Sequence, residues 1–126
     1  MQYDVIIVGG GAVGLATALQ IQKEDAKLKV LVLEKDAVVA NHQTGNNSNV
    51  IHSGVYYKPG SLKAKNCIAG YHMLVDFCRK YEVPFSLCGK VIVATEDKEL
   101  PVLNTIFERG QQNGLQNLKM LKAEEL

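Results

Sequence analysis

Apolar and polar positions follow two different rhythms along the first third of the chain. Val5-Ile-Ile-Val8, entered through Tyr3-Asp4, is a short continuous apolar run rich in β-branched residues, the pattern of a strand buried on both faces. A glycine cluster interrupts it. Leu15–Lys23 then has helical composition, with Ala16, Leu19 and Lys23 assigned to one stripe. Leu28-Lys-Val-Leu-Val-Leu33 reads as a second strand, with Glu34 at its end. Strand, turn, helix and strand fit into about 30 residues, the size of one βαβ unit. The expected class is α/β, with a Rossmann-like unit that forms the N-terminal part of a doubly wound sheet.

The rest of the chain changes rhythm again. A polar stretch from Asn41 to Gly60 leads to Ser61, a side chain suited to cap a helix. Ala64, Ile68, Tyr71, Val75 and Cys78 recur at helical spacing, and Val83-Pro84 ends that segment. Phe85–Ala94 reads as a strand, and Asp97–Gln112 as a helix stopped by Asn113-Gly114. Leu118–Leu121 is a further strand candidate, and Lys122–Leu126 reads as the entry to a helix. The expected organisation is a nucleotide-binding half-domain over residues 1–84 and the start of an α+β substrate domain over 85–126.

Composition excludes several classes. With 14 Lys plus Arg against 13 Asp plus Glu, the net charge is +1, which argues against nucleic acid as a partner. No apolar run approaches the length of a membrane span, and the first residues lack the pattern of a secretory signal. Cys67, Cys78 and Cys88 form no CxxC pair and are odd in number. They read as small buried hydrophobes in a reducing compartment, with a cytoplasmic location expected. His42, His52 and His72 are not spaced as zinc ligands, so no metal site is expected.

The candidate chemistry begins at Gly9-Gly10-Gly11-Ala12-Val13-Gly14, which fits G-x-G-x-x-G. Gly9 permits the tight turn out of the strand, Gly11 lets a pyrophosphate approach the backbone, and Gly14 lets the helix pack close on the sheet. Phosphates then meet the free N–H groups and dipole of a helix N-terminus. Glu34, twenty residues after Gly14, is placed to accept hydrogen bonds from both hydroxyls of a ribose and to repel a 2′-phosphate. These features indicate dinucleotide binding but do not separate FAD from NAD. The 41–60 segment bears on that choice. It reads either as a solvated loop or as a ligand-wrapping segment in which Thr44, Gly45, Asn47 and Ser48 contact phosphates.

His42-Gln-Thr-Gly-Asn-Asn-Ser-Asn-Val-Ile-His-Ser-Gly-Val-Tyr-Tyr57, followed by Pro59-Gly60-Ser61-Leu62-Lys63-Ala64, resembles the L-2-hydroxyglutarate oxidases and dehydrogenases. These are FAD-dependent oxidoreductases related to D-amino-acid oxidase and glycerol-3-phosphate dehydrogenase. The resemblance continues through Cys88-Gly-Lys-Val-Ile-Val-Ala94 to the last residue. Asn46 and Asn49 depart from the pattern, standing where His and Gly are expected. Asn tolerates a left-handed backbone, so Asn49 is expected to preserve the loop.

The resemblance implies FAD as cofactor, with Gly9, Gly11 and Gly14 at the pyrophosphate and Glu34 at the adenosine ribose. Thr44, Gly45 and Ser48 would contact the phosphates and ribityl chain, and His52, Ser53 and Gly54 would pass beside the isoalloxazine. His52 has two readings: a group that tunes the flavin or accepts the substrate's hydroxyl proton, or a structural residue that orders the loop. The implied reaction oxidises a 2-hydroxy acid, L-2-hydroxyglutarate, by hydride transfer to flavin N5. The acceptor is left open between oxygen and a membrane quinone, the latter requiring peripheral membrane contact. The chain is expected to be the N-terminal part of a longer protein, with the remainder of that protein as its necessary partner. NAD-dependent dehydrogenase and non-catalytic dinucleotide-binding module are the alternatives.

Overall fold

The β-branched run and the residues that follow it form the elements the sequence predicts. In the computed structural model, which describes residues 2–125, β1 (Val5–Val8) is followed by α1 (Ala12–Glu24) and β2 (Val30–Leu33). The strands pair in parallel, Val5 opposite Val30 through Val8 opposite Leu33. Gly9 N–H extends the ladder to Leu33 O at 2.7 Å. Among the described residues these two strands are the whole sheet.

Two expectations for this unit need correction. β1 is not buried on both faces: Val5 and Ile7 are half-buried, while Ile6 and Val8 are 56% and 85% exposed. Helix α1 packs against both strands, and within this unit no second helix lies on them among the described residues. The inward stripe of α1 is Gly14, Leu15, Ala18 and Ile21, whereas Ala16, Leu19 and Lys23 face outward. The close approach at Gly14 lies on the same face as Leu15, Ala18 and Ile21.

The chain divides into two compact units, Met1–Asn49 and Val50–Leu126. In the second, α2 (Leu62–Lys80) begins where expected, because Ser61 Oγ accepts the Ala64 N–H at 3.2 Å. Its stripe of Ala64, Ile68, Tyr71, Val75 and Cys78 is buried or half-buried, as its spacing predicts. Asp97–Glu99 forms a 3-10 turn leading into α3 (Leu100–Gln112), which carries a proline in its first turn. The α3 N-terminus is prepared by Glu99, whose carboxylate accepts the Thr95 N–H at 2.7 Å. Among the described residues the buried apolar side chains are Val55, Ala64, Val75 and Cys78, all in this unit.

The division at Asn49–Val50 does not coincide with the expected organisation into 1–84 and 85–126. Residues 54–57 are tied to α3 by side-chain hydrogen bonds, so parts assigned to different domains pack together. Residues 85–94 and 118–121 form no strand. The period-two alternation survives, with Val91 and Val93 exposed and Ile92 and Ala94 half-buried, but a strand requires a partner to satisfy its backbone. Ala123–Glu125 is a short 3-10 turn, and Leu126 lies outside the described residues. The three cysteines are free, and Cys88 is exposed rather than buried.

Candidate nucleotide site

The first unit gathers Gly9, Gly11, Gly14, Glu34 and Thr44 around the start of α1. Gly9 turns the chain out of β1 at φ +107°, a conformation that L side chains rarely adopt. Gly14 then brings the helix against the turn: a Cβ there would overlap the Gly9 carbonyl oxygen, 3.1 Å from its carbon and 3.4 Å from the Ile7 side chain. The first bond of the helical ladder runs from Leu15 N–H to Gly11 O at 2.9 Å. The N–H groups of Ala12, Val13 and Gly14 therefore point out of the N-terminus, where the helix dipole favours an anion.

The segment after β2 folds back over this turn. Gly10 N–H donates to Glu34 Oε2 at 2.7 Å, and Ala40 N–H donates to Gly10 O at 2.9 Å. Thr44 Oγ1 accepts the Ala12 N–H at 2.9 Å, so this hydroxyl sits at the end of α1. Gly45 is required by space, since a Cβ would lie 2.7 Å from Ala40 O. Asn46 Nδ2 donates to His42 O at 2.8 Å, and Asn47 Nδ2 to Thr44 O at 2.6 Å. The two amides thus close the turn that presents Thr44. Asn49 is left-handed at φ 53°, as expected of the residue standing in a glycine position.

Glu34 is the electrostatic feature of the site. Its Oε1 accepts from Lys35 N–H at 2.7 Å and Asp36 N–H at 3.1 Å, while Oε2 accepts from Gly10. These bonds, led by those from Asp36 and Gly10, hold the carboxyl below its ordinary range against an opposing effect of desolvation. An ionised carboxylate offers about four acceptor positions. Three are taken, which leaves Oε2 one for a ligand hydroxyl, rather than the two that the sequence suggests.

Two open clefts flank the turn. One, of about 360 Å³, runs between Gly9, Gly11, Glu34 and Thr44 and is completed by Val8, Leu33, Lys35 and Ala40–Gln43. The other, of about 370 Å³, follows Gly9, Gly11–Gly14, Thr17 and Thr44 along α1. Gly45 and Ser48 are exposed and line neither. Lys35, Ala40 and Asn41 are lining residues that the sequence reading did not single out; their signal was only that they flank Glu34 and Thr44. The residues present fit a dinucleotide: an N-terminal donor set, a glycine turn that lets a ligand approach the backbone beside the Thr44 hydroxyl, and an ionised carboxylate stand together.

His52, Ser53 and Gly54 belong to the second unit. His52 is exposed, and its carbonyl accepts from the Cys67 thiol at 3.3 Å. Gly54 is buried at φ +90° and opens a turn in which Tyr57 N–H donates to Gly54 O at 3.1 Å. The Asn113 amide reaches Gly54 O at 3.1 Å and Tyr57 O at 2.9 Å. Nothing in the sequence signals Asn113, because both partners lie more than fifty positions away.

Comparison with known proteins agrees with this geometry. The family model described as FAD dependent oxidoreductase matches residues 4–126. An L-2-hydroxyglutarate dehydrogenase of Indibacter alkaliphilus is 59% identical over the full 126 residues, which make up 32% of its length. The human mitochondrial L-2-hydroxyglutarate dehydrogenase is 47% identical over 98% of this chain and 27% of its own. Among solved structures, FAD-bound, dithionite-reduced L-alpha-glycerophosphate oxidase from Mycoplasma pneumoniae superposes with a TM-score of 0.81 at 32% identity. That likeness covers 99% of this chain and 33% of the oxidase. The chain thus spans about a third of the length of the curated relatives it matches. A glycine turn, a carboxylate and a hydroxyl gathered at one helix end are met by a family match over almost every residue, and the chain belongs to the FAD-dependent oxidoreductase family.

Proposed function

We propose that this chain is the nucleotide-holding part of an enzyme that uses FAD to oxidise a 2-hydroxy acid, L-2-hydroxyglutarate, to 2-oxoglutarate. The observation that carries the cofactor part is the convergence of Glu34, Thr44 and the open N-terminus of α1 on one turn. The substrate rests on the names of relatives 59% and 47% identical to this chain.

In this reading the pyrophosphate lies along Gly9–Gly14, where the N–H groups of Val13 and Gly14 donate to it. Thr44 Oγ1 either keeps its bond to Ala12 N–H or rotates to donate its own proton to phosphate. Glu34 Oε2 accepts one hydroxyl of the adenosine ribose, and its charge excludes a 2′-phosphate. Gly45 and Ser48 continue the wrap along the phosphates and ribityl chain. Bound FAD supplies a hydride acceptor at flavin N5 for the hydrogen on the carbon that bears the substrate hydroxyl. His52, with Ser53 and Gly54, is assigned to the isoalloxazine side. Its imidazole is exposed, and with FAD bound it would tune the flavin or accept the substrate's hydroxyl proton, ordering of the loop being its alternative role. Oxygen and a membrane quinone remain the two acceptor classes for the reduced flavin, and the rest of a longer chain completes the substrate pocket.

The test is anaerobic mixing of the FAD-loaded full-length protein that carries this chain with L-2-hydroxyglutarate, its D isomer and glycerol 3-phosphate, while the visible flavin band is followed. Bleaching by the L acid alone is expected. Bleaching by glycerol 3-phosphate alone would move the chain to the substrate of its structural neighbour. Flavin that binds and is bleached by none of the three would favour a non-catalytic module.

A further inference from the structure

The segment after His52 is held in an unusual way: one helix grips four consecutive residues. Asn113, at the C-terminal end of α3, donates from one Nδ2 to both Gly54 O and Tyr57 O. One turn earlier, Arg109 donates from its guanidinium to Tyr56 O at 3.2 Å. Between them Gly110 is buried, and a Cβ there would stand 3.2 Å from Val55 and 2.7 Å from Leu118. Val55 is itself buried, at 7% exposure. Gly54, Val55, Tyr56 and Tyr57 are thus each fixed by Arg109, Gly110 or Asn113.

We infer that Asn113, supported by Arg109 and Gly110, is a positioning residue for the His52–Gly54 strip. Three observations converge on it. The carbonyls of Gly54 and Tyr57 bracket a tight turn whose first residue has φ +90°, so losing the Asn113 donor frees the turn where its backbone is least typical. The bonds span 59 and 56 residues and add a tertiary hold to a turn whose local bond runs from Tyr57 N–H to Gly54 O. Asn113 is only half-exposed, and its N–H closes α3 on Arg109 O at 2.9 Å, which anchors the side chain to a rigid element. The geometry is that of a staple between a helix end and a turn, two residues from the imidazole assigned to the flavin.

This inference rests on the placement of His52–Gly54 beside the isoalloxazine, and the test separates the two. FAD-loaded Asn113→Leu, near in size but without a donor, is compared with wild type by hydrogen exchange over residues 52–57, visible flavin spectrum and limiting rate of flavin reduction. Expected are faster exchange over 52–57, a shifted flavin band and a reduction rate lowered roughly ten- to hundredfold, the effect of a misplaced group. KM is expected to change less than the rate. Unchanged exchange and spectrum would overturn the inference. Faster exchange with an unshifted spectrum and rate would also overturn it, since Asn113 would then only stabilise the fold. If Asn113→Leu does not fold, Arg109→Met decides by the same readouts, with smaller changes in the same direction. A wild-type protein not reduced by any 2-hydroxy acid would refute the proposed reaction instead, while exchange and spectrum still report on the staple.

Discussion

The closeness of α1 to the glycine turn predicts opposite outcomes for one chemical change made at two helical glycines. At Gly14, an added methyl overlaps the Gly9 carbonyl oxygen and crowds Ile7. The carbonyl has little freedom to give way, because Gly9 is held in the ladder by its bond to Leu33 O. The helix must withdraw by more than about 1 Å to restore ordinary contact. Overpacking of this kind costs about 1–3 kcal/mol, and a backbone obstacle argues for the upper end. Alanine returns about 1 kcal/mol in helix propensity, which leaves Gly14→Ala destabilised by about 2 kcal/mol. At Gly70, within α2, an added Cβ meets nothing within 4 Å. There the same change stabilises by about 0.5–1 kcal/mol, because only the backbone entropy term operates. Urea unfolding of wild type and both variants, with midpoints compared at a common slope, measures the difference. Gly14→Ala should also weaken FAD binding, since the N–H groups retreat with the helix. A Gly14→Ala protein as stable as wild type would refute the close-packing argument.

Three further predictions follow from the same geometry. Glu34→Gln should weaken FAD binding roughly ten- to hundredfold, because a charged acceptor is replaced by a neutral one beside Gly10 and the ribose; fluorescence titration measures it. The Glu34 carboxyl is held below its ordinary value of 4.5 by N–H groups, so its contribution to stability is fully present above that value. It is lost only as pH falls through the depressed folded value, and an acid titration of Glu34→Gln should lack that loss. Asn49→Gly should fold normally and retain FAD, since φ is 53° there and only its backbone N–H, not its side chain, is hydrogen-bonded among the described residues; a large drop in melting temperature would contradict this. His52→Ala should shift the flavin spectrum and slow reduction in stopped flow, whereas reduced FAD occupancy with an unchanged reduction rate would assign His52 to ordering the loop.

What was legible in the sequence is what local chemistry determines. Gly9, Gly14 and Glu34 were readable because strand, turn and helix impose a fixed spacing on them, and the structure gathers them. The α2 stripe was readable because a nineteen-residue helix repeats its period several times. The inward face of α1 differs from the expected one because this thirteen-residue helix carries apolar residues at more than one phase, and spacing alone does not choose between Leu15, Ala18 and Ile21 and the stripe of Ala16 and Leu19. Phe85–Ala94 kept the alternation of a strand without forming one, because pairing depends on a partner and alternation does not. The bond from Gly10 to Glu34, and those from Asn113 to Gly54 and Tyr57, are tertiary facts that spacing does not encode.

The claim that FAD lies along the Gly9–Gly14 turn is tested most directly by FAD titration of Gly11→Val beside wild type. Gly11 adopts φ −81° and ψ −177°, which valine accepts without strain, and its added Cβ would meet only the Thr44 hydroxyl, at 3.2 Å. The variant should therefore fold, with unchanged circular dichroism, while its side chain fills the space over the helix N-terminus. In the full-length protein that carries this chain, the native sequence is predicted to bind one FAD per chain and Gly11→Val to bind none detectably. A folded Gly11→Val protein that remains stoichiometrically yellow would contradict the account.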